Sequence, residues 1–222
     1  MTDSRLHRRP RGPTAGRTRR LAAPVAVLLA IAGLSSRTTA QRDGRAFTAD
    51  ERRRLAAGEL VRRDITLDED GHAMFGGTSF MRVRMPLERV WRVVRDPSIF
   101  PRLVPSLEHV EVVARRGDEL VLRMHHRYAL ASTQYHVRMR VDGAARRISF
   151  HLDRSRPHDV RAGRGFLELR AWGDDTMVSW GMLADVGAGI LQEVFGPFLN
   201  EWLLIPPRCL RDELEPGREN TC

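Results

Sequence analysis

From Leu107 to Trp180 apolar and polar residues alternate almost without a break, and that period of two commits the middle of the chain to β-strands. His109–Ala114 and Glu119–Leu130 are separated by the turn composition Arg116-Gly117-Asp118. In the second of these, Leu122, Met124, His126, Tyr128 and Leu130 share one face, and Arg123, His125 and Arg127 share the other. Tyr135, Val137, Met139 and Val141 continue the pattern with Arg138 and Arg140 outside, and Asp142-Gly143 marks a hairpin. Ile148, Phe150 and Leu152 alternate next, followed by Leu167 and Leu169 within Gly165–Leu169. After Gly173-Asp174-Asp175, a further strand presents Thr176, Val178, Trp180 and Met182. Strands joined by turns this short pair antiparallel, and their apolar face needs a cover.

Helical patterns flank this run. Thr48-Ala49-Asp50-Glu51 has capping-box spacing and predicts a charged add-on helix through about Leu60. Gly76–Met85 alternates Phe80, Arg82 and Arg84 against Met81, Val83 and Met85, a half-buried strand. Pro86 then opens a helix with Leu87, Val90, Trp91 and Val94 on one face. Asp96-Pro97 breaks it, and a second short helix occupies Ser98–Leu103. Ile190, Leu191, Val194, Phe195, Phe198, Leu199, Trp202 and Leu203 form a wide apolar stripe over Gly189–Ile205. Pro206-Pro207 kinks or ends that helix, with Arg208–Leu214 available to resume it. The expected order is strand, two short helices, about six strands and one long C-terminal helix. This is an α+β domain whose curved antiparallel sheet wraps the last helix and leaves a space beneath it.

The net charge of +9 suggests nucleic acid until its position is considered. Residues 1–40 hold eight arginines and one acid, a net of +7, so residues 41–222 carry only about +2. Arginines ending at Arg19-Arg20, the apolar run Leu21–Leu34 and then Thr38-Thr39-Ala40 read as an export signal. An uncleaved anchor is the alternative, although the run is shorter than the roughly 18 apolar residues of a spanning helix. The expected organisation is therefore a signal peptide or anchor over 1–40, a linker and helix over 41–60, the main domain over 61–215 and a tail over 216–222. Localisation is expected to be periplasmic or secreted. Cys209 and Cys222 are compatible with a disulfide, or with one semi-buried helix thiol and one frayed terminus.

The element order, with the string PLERVWRVVRDPSIFPRLVPSLEHVEVV, resembles the START-like (SRPBCC) superfamily of helix-grip domains, which includes polyketide cyclases and coenzyme Q-binding proteins. Val90-Trp91, Asp96, Phe100, Val104-Pro105 and GRGFLELRAWGDDTMVSW carry the likeness, with Leu167 where relatives place an aromatic residue. It covers about residues 60–215 and rests on packing signatures rather than catalytic ones. The resemblance implies an internal cavity for a hydrophobic molecule.

The residues expected to line it are Met124, His126, Tyr128, Tyr135, Val137, Met139, Phe150, Leu167, Leu169, Val178 and Trp180 from the sheet, with Val194, Phe195, Phe198 and Trp202 from the helix. The sequence has no zinc-ligand spacing, no CxxC, no phosphate-cradling glycine loop and no nucleophile elbow, so no metal or cofactor is expected. His126, Tyr128 and Tyr135 face inward together and could grip a ligand oxygen or, in an enzyme, move a proton. A core histidine satisfied by one tyrosine hydroxyl is the plainer alternative. Glu168 falls on the outer face and is expected to be solvated. Arg123, Arg127, Arg138, Arg140 and Arg147 form an outward row, either a solvated face or a weak attraction to anionic lipid headgroups. The leading reading is binding or carriage of a lipid, quinone, isoprenoid or polyketide-like molecule outside the cytoplasm. A cyclase or dehydratase and a cell-envelope interaction module are the alternatives, with nucleic acid excluded as a partner.

Overall fold

A computed structural model describes residues 46–128, 131–187, 199–217 and 222. Phe47 and the capping box open α1 (Ala49–Ala56): Thr48 Oγ1 accepts from the Glu51 N–H, and Glu51 Oε2 accepts from the Thr48 N–H. The helix ends at Ala56, four residues before the expected Leu60, and Gly58 with φ +77° follows its cap. Leu55 is fully buried with Val61, Phe80 and Met177, which docks α1 on the convex side of the sheet.

Two strands, not one, precede the short helices. β1 (Val61–Glu69) escaped the sequence reading because Arg62, Arg63, Asp64, Asp68 and Glu69 swamp the weak alternation of Val61, Ile65 and Leu67. It turns through Asp70-Gly71, both with positive φ, into β2 (His72–Val83). α2 (Leu87–Val94) buries Val90, Trp91 and Val94. Asp96 Oδ1 then accepts from the Ser98 N–H, capping a 3₁₀ turn (Pro97–Ile99) that runs into α3 (Phe100–Leu103).

The six strands that follow are β3 (Leu107–Arg116), β4 (Glu119–Tyr128), β5 (Ala131–Asp142), β6 (Arg147–Leu152), β7 (Ala162–Trp172) and β8 (Asp175–Asp185). From β4 on, each pairs antiparallel with the one before, and β8 pairs with β2, giving the order β1-β2-β8-β7-β6-β5-β4-β3. The Asp142-Gly143 hairpin forms, but with a four-residue turn in which Asp142 Oδ1 accepts from the Ala145 N–H.

Residues 199–204 are helical and are named α4; α5 is Pro206–Leu214. Residues 188–198, which include most of the predicted apolar stripe, lie outside the described residues. The proline pair does not kink a helix interior; it occupies the first turn of a new helix, where a missing N–H costs nothing. Cys209 and Leu210 of α5 join α2, α3 and the concave face in one buried core with Leu122, Met139, Ile148, Leu167, Leu169 and Val178. Cys209 is bonded to Cys222, so the end of the expected tail is tied to α5.

Candidate functional site

Between the concave face and the C-terminal helices lie two adjoining compartments of about 150 and 120 Å³. They share Val104, His126, Tyr135, Val137, Phe150 and Trp202 as common wall. The outer one extends toward Ala162, Gly163, Ala184 and Val186, and the deeper one toward Leu122, Met139, Leu167, Trp180 and Leu210.

Of the residues predicted to line the space, Met124, His126, Tyr135, Val137, Met139, Phe150, Leu167, Trp180 and Trp202 do so. Leu169 and Val178 do not: both are almost fully buried in the closed core that α2 seals, beyond the reach of the cavity. Val194, Phe195, Phe198 and the side chain of Tyr128 lie outside the described residues. The structure adds Val104, Pro105, Ser106, Thr133, Met182 and Leu203. Met182 and Leu203 already lay on the inward strand face and in the apolar stripe, whereas Ser106 and Thr133 carried no sequence signal.

The cavity's polar groups gather at one place. His126 Nε2 lies 2.8 Å from Tyr135 Oη, and His126 Nδ1 lies 3.1 Å from Ser106 Oγ. The imidazole and phenol rings are nearly parallel, 16° apart, with centroids at 5.4 Å. Adjacent antiparallel strands create this pair: Met124 of β4 pairs with Tyr135 of β5, and His126 follows Met124 on the same face.

Ser106 arrives from a tight turn. The Leu107 N–H donates to the Val104 carbonyl, Pro105 holds the second position, and Ser106 has φ +61°. This is a type II turn, whose third position favours glycine. A serine there carries a conformational cost, and its hydroxyl meets the imidazole.

Burial lowers His126 to a pKa of about 4, with the neighbouring His125 adding to the shift and the Pro105 carbonyl, an acceptor for the imidazole, opposing it. Burial also raises Tyr135 well above the ordinary phenol value. At neutral pH both groups are uncharged.

Trp180 and Phe150 pack with centroids at 5.1 Å, and the Trp180 indole N–H donates to the Leu203 carbonyl at 2.7 Å. That bond fastens α4 to β8. Across the sheet, Thr176 Oγ1 donates to the Met85 carbonyl, binding the start of β8 to the bend after β2.

The convex face is not a free row of arginines. Arg123 pairs with Glu111, Arg127 with Glu108, Arg138 with Asp153 and Arg147 with Glu168. Glu168 itself is buried, not solvated. Desolvation raises its pKa, but the hydrogen bonds from Arg170 and Arg147 outweigh that and hold the carboxyl below its usual range. The strand alternation placed Glu168 outward correctly, yet two arginines cover it from either side.

An eight-stranded curved antiparallel sheet closed by helices over an apolar cavity defines a START-like, helix-grip protein of the SRPBCC superfamily. The chain belongs to the polyketide cyclase/dehydrase and lipid transport family, whose model matches residues 74–204. No curated protein sequence matches it. Among solved structures, a protein of Thermus thermophilus is 19% identical with a TM-score of 0.52, covering 60% of this chain and 92% of its own. A STAR-related lipid transfer protein from Xanthomonas axonopodis is 15% identical with the same TM-score, covering 69% of this chain and 98% of its own.

Proposed function

We propose that this protein binds and carries an uncharged, amphipathic hydrophobic molecule in its cavity, outside the cytoplasm. The carrying observation is the distribution of polarity: apolar walls with one polar cluster, Ser106, His126 and Tyr135, at the boundary of the two compartments. Membership of a family described by cyclisation and lipid transport supports the reading, as does the name of the Xanthomonas relative. Export is supported by the leader and by the Cys209–Cys222 disulfide, a bond that persists in oxidising compartments. Peripheral contact with a membrane would serve delivery of the cargo.

A cyclase or dehydratase is the second reading, favoured by a neutral imidazole placed on a tyrosine hydroxyl in a shaped cavity. The electrostatics weigh against it. A base with a pKa of about 4 and a phenol harder to ionise than usual are both poorly matched to proton transfer near pH 7.

The test is organic extraction of protein purified natively from its host, followed by mass spectrometry. A neutral hydrophobe released in near-stoichiometric amount is expected, and protein that is empty and fails to take up apolar probes would sink the carrier reading. N-terminal sequencing of the same material is expected to begin just after Ala40.

A further inference from the structure

The cavity constrains where along a ligand its polar atom can sit. Among the described residues, the polar side chains lining either compartment are Ser106, His126, Thr133, Tyr135, Trp180 and Trp202. His126, Tyr135 and Trp202 belong to the wall common to both. Ser106 Oγ lies 3.1 Å from His126 Nδ1, and Thr133 of β5 is the strand partner of His126. Trp180 lines only the deeper compartment, but its N–H donates to the carbonyl of Leu203, a residue of the common wall. These polar groups therefore gather at the waist between the compartments. From there the outer compartment runs to Val160, Ala162, Ala184 and Val186, and the deeper one to Leu122, Ile148, Leu167 and Leu210. Both ends are apolar.

We infer that the ligand carries its oxygen in the middle, between two apolar groups each about the size of one ring, and not at one end as a fatty acid or primary alcohol does. This rests on the binding reading above. A dry apolar cavity of about 150 Å³ holds one benzene molecule, and the two compartments measure about 150 and 120 Å³. The waist serves a ligand oxygen whichever way its own protons point. A hydroxyl has one O–H and two lone pairs, and the contact of Tyr135 Oη with His126 Nε2 uses one of the three. If Tyr135 donates there, its lone pairs remain; if it accepts, its O–H remains. An oxygen carried to the far end of either compartment meets no polar side chain, and burying it unpaired is costly.

The test compares diphenylmethanol, whose hydroxyl lies between two rings, with its isomer 4-biphenylmethanol, whose hydroxyl is terminal, and with diphenylmethane, by titration calorimetry on the full chain. Diphenylmethanol is expected to bind about tenfold or more tightly than its isomer, the cost of an unpaired buried hydroxyl. In the double variant His126→Leu/Tyr135→Phe that margin should fall to about threefold or less, while diphenylmethane still binds. A measurement on the unaltered protein guards against a misfolded variant: bound diphenylmethanol should show NMR cross-relaxation from its rings to the methyls of both Ala184 and Leu210, and from its central C–H to the His126 ring. Equal affinity for the two isomers, a preference for the terminal alcohol, a margin that survives in the double variant, or rings that reach only one compartment overturns this inference and leaves the carrier reading standing. Failure of all three probes to bind overturns both.

Discussion

The indole N–H of Trp180 donates to the carbonyl of Leu203 at 2.7 Å, and that carbonyl is available because residue 207 is a proline. In a continuous helix the N–H of residue 207 would take it. The proline pair thus starts α5 and frees a backbone acceptor, which an indole in the cavity wall then uses. Trp180→Phe should cost about 1–3 kcal/mol in urea unfolding, because a carbonyl against the cavity loses its donor. In a Pro207→Ala background the restored N–H should shrink that cost. Equal costs in both backgrounds would refute the coupling.

His126 makes stability depend on pH in a defined direction. Its folded pKa of about 4 lies below the ordinary value, so the unfolded chain binds more protons between pH 6.5 and 4. Its contribution is fully present above pH 6.5 and declines as pH falls toward 4, by about 3 kcal/mol in all. The carboxylates of Glu51, Asp153 and Glu168, all depressed, lose their contributions at lower pH as each is titrated. Unfolding free energies of wild type and His126→Phe, measured from pH 7.5 to 4.5, should converge as pH drops; parallel curves would contradict this.

The Cys209–Cys222 bond closes a loop of 13-residue separation on a helix whose Cys209 is fully buried. Cys222→Ser should lower stability by about 3 kcal/mol, chiefly by releasing the unfolded chain. Reductant should bring wild type down to the same melting temperature and leave the variant unmoved. A variant as stable as the oxidised wild type would count against the bond.

Gly165 lies under the ring of Phe150. A Cβ there would fall 2.3 Å from the Gly181 carbonyl oxygen and 2.6 Å from the Phe150 ring. The ring can move only by swinging within the cavity it lines. Gly165→Ala should therefore destabilise the fold by about 1–3 kcal/mol and reduce uptake of apolar probes, read by chemical denaturation and probe fluorescence. An unchanged protein on both counts would show that the sheet yields here.

Legibility in the sequence followed the strength of local pattern. β4 to β8 announced both position and facing, because one apolar residue in two marks the buried side whatever the partner strand. β1 did not, since an edge strand rich in charge keeps only three apolar marks over nine residues. Among the lining residues, His126 and Tyr135 were readable from alternation. Leu169 and Val178 share that alternation yet lie in the sealed core, because period two tells inside from outside but not cavity from core.

The sequence by itself therefore determined an α+β chain, an antiparallel sheet with one apolar face, a capped N-terminal helix and a break at Pro206-Pro207. These follow from the geometry of a single strand or turn of helix, which repeats every two or 3.6 residues. Only the tertiary structure decided which polar groups meet. Ser106 reaches His126 across 20 residues, Trp180 reaches Leu203 across 23, and Arg147 reaches Glu168 across 21. Hydrogen-bond partners are chosen by proximity in space, on which periodicity along the chain is silent. The apolar cavity was legible in outline; the meeting of Ser106 with His126 among its polar groups was not.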